Sequence, residues 1–319
     1  MKVTVLCGGN SSERQVSIVS GYYVGTALAS LGHDVTCMDV FTGEIVSDLQ
    51  RITAQPPSEM KRADGMLFSP SILPICLESD VVFLALHGGM GENGQLQALL
   101  ECYGIKYTGA SYAPSLLCMD KGISREVMGT NGVSIPKGIT VSSTKDINIT
   151  DFPVCVKPAS SGSSVGVSFP NSMEELIPAV ESALAVCPRV VIEEKIVGRE
   201  FTVGILDGKA LPIVEILPKT GVYNYESKYD PDLVSEICPA PLTAEEEEAI
   251  KNTALAAKDA LLVDSYCRVD VMLSNSVPYC LEINTLPGMT KTSLLPLAAN
   301  TAGISFPELC QRIINEALK

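Results

Sequence analysis

Lys2-Val-Thr-Val-Leu-Cys-Gly-Gly9, continuing through Asn10-Ser-Ser-Glu-Arg-Gln-Val-Ser17, reads as a buried strand that turns at paired glycines into a helix. β-Branched residues dominate positions 2–7, and Gly8-Gly9 end the run. Ser12-Glu13-Arg14-Gln15 has the capping-box pattern. It predicts a helix to about Leu31 whose apolar face carries Val16, Val19, Tyr23 and Ala27. Gly32 stops that helix, 34–40 makes a second strand, and Ser79-Asp80 is a polar break before a third at 81–86. A helix near 95–103 follows. This βαβ rhythm predicts a parallel, Rossmann-like N-terminal domain over residues 1–110.

Beyond it, the pattern predicts a helix over 112–131, a strand at 154–157, a Gly/Ser loop, a helix over 173–185 and a strand at 190–194. Strands at 200–206 and 210–217 lead into a long polar loop, 218–239, of the kind that serves as a lid or stays disordered. A helix over 244–262, two strands at 265–273 and 278–284, and C-terminal helices close the chain. The expected fold class is α/β.

The chain has 319 residues, 46% apolar and 19% charged, enough for two or three domains at ~100–200 residues each. Its 23 Lys and Arg stand against 37 Asp and Glu, a formal charge of −14. Such a field disfavours nucleic acid and anionic lipid as general partners. No apolar run approaches the ~18–20 residues of a bilayer span. Met1-Lys2 leads straight into the first strand with no signal-peptide pattern. The eleven Cys are scattered singly, never as C-x-x-C, and with two His they offer no zinc spacing. Free thiols in a reducing cytoplasm are expected.

Three segments point to chemistry. Lys157-Pro-Ala-Ser-Ser-Gly-Ser-Ser-Val-Gly166 follows a strand and suits phosphate oxygens: its glycines admit backbone N–H groups, Ser163 and Ser164 offer hydroxyls, and Lys157 adds charge. It is not a P-loop, and a flexible Gly/Ser loop would account for the segment taken alone. Arg268 and Asp270 are two apart, as are Glu282 and Asn284, which on strands puts each pair on one face. If the strands pair, Asp270, Glu282 and Asn284 converge as an all-oxygen set suited to Mg²⁺; solvated strand faces are the bland alternative. Third, the turn at Gly288 in Asn284-Thr-Leu-Pro-Gly-Met-Thr290, beside Arg268 and followed by Ser293, could stabilise an oxyanion, though Pro-Gly is a common turn.

Other signals are weaker. Tyr225-Glu-Ser-Lys-Tyr229 could bring Lys228 and Tyr229 down on a charged substrate as part of a lid, or could be surface loop. Glu13 could be only a cap, His87 only a structural histidine, and Lys121 only a surface lysine. Gly8-Gly9 lacks G-x-G-x-x-G, which disfavours an NAD site.

Taken together, VLCGGNSSERQVS, LALHGGMGENGQLQ, CMDK, VKPASSGSSVGV, VIEEKIVGREFTVGIL, YESKY, CRVDVML and LEINTLPGMTKTSL resemble the D-alanine–D-alanine ligase family of the ATP-grasp superfamily, over nearly the whole chain. The resemblance implies a Rossmann-like domain followed by two ATP-grasp subdomains clasping the nucleotide, at 111–192 and 193–319. The second would carry the metal site and the lid loop 218–239. It implies ATP-dependent joining of two D-alanines through an acyl phosphate, for peptidoglycan precursors, in a cytoplasmic homodimer. Glu13 would bind the ammonium of the first D-alanine in a hydrogen-bonded set with Ser163 and Tyr229. Lys121, Lys157 and Ser164 would hold ATP phosphates, with Lys228 near the transferred one. Glu193, Glu194 and Ile196 would meet adenine, and Glu200 the ribose. Asp270, Glu282 and Asn284 would bind two Mg²⁺ (or Mn²⁺), Glu282 bridging. Arg268 and Gly288 would stabilise the oxyanion, Ser293 and Leu294 would hold the second substrate's carboxylate, and His87 would lie towards that substrate. The sequence departs from the family pattern at Asn93, Glu194 and Lys291. A D-serine ligase of the same family and a catalytically silent nucleotide-binding regulator are the alternatives.

Overall fold

The opening stretch forms β1 (Lys2–Cys7), and in the computed structural model Val3, Val5, Leu6 and Cys7 have no exposed surface. The structure describes residues 1–46, 65–160, 162, 165–218 and 234–319. β1 is the middle strand of a parallel sheet, between β2 (Asp34–Asp39) and β3 (Val81–Leu84). α1 (Arg14–Ser30) is the crossover from β1 to β2, and a short α2 (Ile72–Leu77) precedes β3. α3 (Gln95–Cys102) follows β3.

Of the apolar face predicted for α1, only Ala27 is buried. Ser17, Ile18, Gly21, Val24, Gly25 and Leu28 are buried, whereas Val16, Val19 and Tyr23 face a cavity. Close approach decides this. A methyl group on Gly21 would stand 2.5 Å from Cys7 Cβ, and one on Gly25 2.3 Å from Cys37 Sγ, so the small residues set the contact with the sheet. The capping box does not form either: no side chain caps α1. Instead Ser11 Oγ accepts from Glu13 N at 3.2 Å and donates to His87 O at 2.6 Å, which leaves the Glu13 carboxylate to other work.

The helix predicted over 112–131 is two helices, α4 (Tyr112–Met119) and α5 (Lys121–Thr130). Asp120 leaves helical geometry, and its carboxylate caps α5 by accepting from Ile123 N at 3.0 Å. Its other oxygen accepts from Arg189 Nη1 at 2.9 Å. The break puts Lys121 at the first position of α5.

A second, antiparallel sheet has the order β4 (Gly138–Val141), β6 (Val190–Glu194), β5 (Val154–Pro158), covered by α6 (Met173–Val186). The third sheet, also antiparallel, runs β10 (Val234–Ile237), β9 (Val214–Pro218), β7 (Arg199–Leu206), β11 (Cys267–Ser274), β12 (Val277–Asn284), with β8 (Lys209–Ala210) on β7. The run predicted as one strand at 210–217 is therefore two. Part of the predicted loop 218–239 is strand: Ser235 pairs with Leu217 and Glu236 with Ile216. Most of that loop lies outside the described residues.

α7 (Ala244–Ala260) opens with a complete capping box between Thr243 and Glu246 and packs on β11 and β12. α8 (Leu294–Thr301) lies against β7. α9 (Phe306–Ala317) returns to α1, and its Leu309, Ile313 and Ile314 join the core of the first sheet.

Candidate functional site

The pairing of β11 with β12 is interrupted once. Asp270 is opposite Glu282, but the next pair is Val271 with Cys280, so Leu281 is an extra residue in β12. That bulge shifts the parity of everything beyond it. Cys280 and Ile283 both reach the core, and Glu282 falls on the same face as Asp270. In an unbroken ladder Leu281 would have faced Asp270. Arg268 pairs with Asn284 on that same face, and Thr202 of β7 flanks Asp270 from the other side.

Asp270 is nearly enclosed. Its Oδ1 accepts from Thr202 Oγ1 at 2.6 Å and from Arg268 Nε at 2.9 Å; its Oδ2 accepts from Arg268 Nη2 at 2.9 Å and Asn284 Nδ2 at 3.2 Å. The fork fixes the plane of the Arg268 guanidinium, as a lysine could not. Glu282 meets Lys121 Nζ at 3.1 Å across the sheet edge. On the second sheet Lys157 Nζ and Glu193 Oε1 are 2.5 Å apart, both largely buried. Burial works to lower the Lys157 pKa, but Glu193, helped by the more weakly felt Glu282, leaves it above the ordinary lysine value.

A cavity of about 510 Å³ is lined by Lys121, Arg268, Glu282 and Asn284 together with residues of α1 and of the loop after β3; Asp270, Lys157 and Glu193 do not line it. At one side of it Glu13 is held between two glycines. A methyl group on Gly162 would lie 2.4 Å from Glu13 Oε2, and one on Gly88, at φ +64°, would lie 2.8 Å from the same atom. Only backbone this bare lets the carboxylate sit there. Gly288, also in the cavity wall, approaches Ser293, whose Oγ a methyl group would reach at 2.6 Å. Ser293 precedes α8, its Oγ accepts from Thr290 N at 3.0 Å, and Leu294 is buried at the first position of that helix. The N-terminus of a helix favours a carboxylate. Arg268, Glu282 and Asn284 line the same cavity, and Val16, Val19 and Tyr23 add apolar surface to its wall.

His87 lines the cavity, and both its ring nitrogens are engaged, by Leu286 O at 2.9 Å and Ser20 Oγ at 3.0 Å. Burial lowers its pKa, so the ring is neutral at ordinary pH. Glu92 joins the site without a sequence signal of its own; within that segment only its neighbour Asn93 departs from the family pattern. It is half-buried in the cavity wall, accepts from Gly88 N at 2.9 Å and Leu286 N at 3.3 Å, and desolvation pushes its carboxyl up to about 7. An isolated glutamate in a Gly-rich segment carries no pattern that could have marked it.

Glu194, Ile196 and Glu200 do not line this cavity. Glu194 ends β6, and its Oε1 accepts from Lys137 N at 2.8 Å. Ile196 is half-buried just beyond, and Glu200 lies on β7 opposite Met272. Ser163, Ser164, Lys228 and Tyr229 fall outside the described residues.

Residues 2–110 match the family described as D-ala D-ala ligase N-terminus, and residues 138–315 the one described as D-ala D-ala ligase C-terminus. The D-alanine–D-alanine ligase of Pediococcus pentosaceus is 37% identical over 98% of this chain and 97% of its own length. That of Methylacidiphilum infernorum is 39% identical over 98% of this chain and 94% of its own. The crystal structure of the D-alanine–D-alanine ligase from Bacillus anthracis superposes with a TM-score of 0.81 at 34% identity, covering 100% of this chain and 97% of that one. A second structure, of D-alanine–D-alanine ligase from Bacillus anthracis complexed with ATP, superposes with a TM-score of 0.81 at 32% identity, covering 100% of this chain and 97% of that one.

Proposed function

The chain belongs to the D-alanine–D-alanine ligase family, and on that premise we propose how its own residues divide the work of an ATP-dependent ligation of two D-alanines. The observation that carries the reading is one cavity whose wall includes Glu13, Ser293, Arg268, Glu282 and Asn284. A carboxylate for an ammonium, a helix N-terminus for a carboxylate, and cationic and acidic groups in the same cavity are what joining two amino acids requires.

In this reading ATP transfers its γ-phosphoryl group to the carboxylate of the first D-alanine. The amine of the second then attacks the acyl phosphate, and phosphate departs from a tetrahedral intermediate. Glu13 pairs with the ammonium of the first substrate. Lys121 and Lys157 neutralise ATP phosphate oxygens, and Glu193, Glu194, Ile196 and Glu200 receive adenine and ribose. Lys228 near the transferred phosphoryl, Ser163 and Tyr229 beside Glu13, and Ser164 on phosphate complete the set by resemblance. Arg268 and the Gly288 N–H stabilise the oxyanion, and Ser293 with the Leu294 amide holds the second carboxylate. Among the described residues no three His, Cys, Asp or Glu gather as a metal site, but Asp270, Glu282 and the Asn284 carboxamide form a hard, all-oxygen donor set on one sheet face. Those three would hold two Mg²⁺ (or Mn²⁺), which would supply neutralisation of phosphate charge. Division of the chain near residues 110 and 192, a cytoplasmic location and a homodimer belong to the same reading. The three separate sheets support the first of these. No described helix is long and apolar enough to cross a membrane.

Release of ADP measured with D-alanine alone, with added D-serine and with added D-lactate tests the assignment. ADP and dipeptide from D-alanine alone are expected; no release without a second amino acid would remove it. The Glu13 role has its own test in Gly162→Ala. The added methyl group would push the Glu13 carboxylate from its place, and a displacement of this kind is expected to lower kcat/KM for D-alanine by about tenfold or more. The melting temperature should barely move. Unchanged kinetics would mean that Glu13 does not meet the ammonium.

A further inference from the structure

The turn at 286–289 carries the Gly288 N–H, and three residues from the first sheet's layer hold it. Leu286 N donates to Glu92 Oε1 at 3.3 Å, and Leu286 O accepts from His87 Nδ1 at 2.9 Å. Met289 N donates to Ser20 Oγ at 3.2 Å. A carbonyl oxygen can only accept, so the proton of His87 is on Nδ1 and its Nε2 is an acceptor. Nε2 therefore accepts a hydrogen bond from the Ser20 hydroxyl at 3.0 Å, which turns the Ser20 lone pairs towards Met289 N–H. Ser20 has no exposed surface and His87 only 6%, so water does not compete for these bonds.

Every other amide of the turn is thereby accounted for. The Leu286 amide is taken by Glu92, Pro287 has no N–H, and the Met289 amide is taken by Ser20. Among the described residues Gly288 N–H alone in the turn has no partner. The anchors come from α1 and from the loop after β3, while the turn follows β12, so they also fix one layer of the site against the other.

We infer that Ser20, acting with Glu92 and the His87 ring, is a positioning residue that aims the Gly288 N–H at the reacting carbonyl oxygen. The inference rests on the proposal that this N–H stabilises the oxyanion. Ser20 touches no substrate; it sets the place of a donor that does, and a donor off by a fraction of an ångström loses more in the transition state than in the ground state.

Ser20→Ala removes the acceptor for Met289 N and the donor to His87 together. It is expected to lower kcat for dipeptide formation by about ten- to a hundredfold. The affinity for a tetrahedral phosphinate analogue should fall by the same factor as kcat/KM, while KM for ATP and the affinity for ADP stay within about twofold. Ser20→Cys, with a weak donor and acceptor of similar shape, should lie between. An undiminished phosphinate affinity, or a loss shared equally by ADP, overturns the inference. Should Ser20→Ala fail to melt cooperatively, Ser20→Cys is measured for the same pair of affinities, and the same two results overturn the inference. A wild-type chain that makes no dipeptide would instead overturn the underlying reading, and the two failures are distinguishable.

Discussion

Glu282→Gln and Asp270→Asn are each expected to reduce ADP release and dipeptide formation by at least about 10³-fold, the scale on which charge-neutralising groups act in phosphoryl transfer. They should differ in everything else. Glu282 is a partly exposed side chain on a sheet face, paired with Lys121, and its conversion to the amide removes one negative charge without emptying a buried site. The melting temperature should hold, and Mn²⁺ binding in the presence of ADP, read by calorimetry, should weaken at least tenfold. Asp270 accepts four hydrogen bonds, two of them from the Arg268 fork. An asparagine there places an N–H₂ group against guanidinium or carboxamide donors, which strands a buried donor at a cost of about 1–3 kcal/mol. Asp270→Asn should therefore melt lower as well as stop the reaction. Activity within tenfold of wild type in either variant would refute the divalent-cation assignment. Identical melting of both would refute the account of Arg268.

Lys157→Met should be the most destabilising substitution at the site. It leaves the Glu193 carboxylate buried at 5% exposure without its partner, and breaking one half of a buried ion pair typically costs about 3–5 kcal/mol. It should also raise KM for ATP steeply. The two effects separate in the double variant Lys157→Met/Glu193→Leu, which replaces both charges with apolar groups of similar size. Stability should recover to near wild type, since such replacements are often neutral. ATP binding should not recover, because an aliphatic pair offers nothing to phosphate. If the double variant regains ATP affinity, the pair is structural only. If the single variant melts like wild type, water reaches Glu193 and the pair is not buried in solution.

Much of this site was readable in one dimension. Strand alternation places Arg268 with Asp270 and Glu282 with Asn284 on shared faces whatever surrounds them, and the glycine pair after β1 marks a strand-to-helix turn. Those features depend on local geometry. The relation between the two faces did not follow, because a single additional residue, Leu281, decides whether Glu282 or a leucine meets Asp270. No local propensity marks Leu281 as a bulge.

The same division runs through the molecule. Order of elements, the α/β class and the residue types that can handle phosphate and carboxylate are written in patterns of a few neighbouring residues, where periodicity and turn chemistry act. Which face of α1 is buried, that a helix breaks at Asp120 to present Lys121, and that Ser20, His87 and Glu92 grip a turn 194 to 269 residues later were settled by contact between distant segments. Close packing made the choice: glycines allowed α1 to reach Cys7 and Cys37, and that approach turned Val16, Val19 and Tyr23 towards the cavity. Hydrophobicity along a chain says how much surface must be hidden; steric fit between elements says against what.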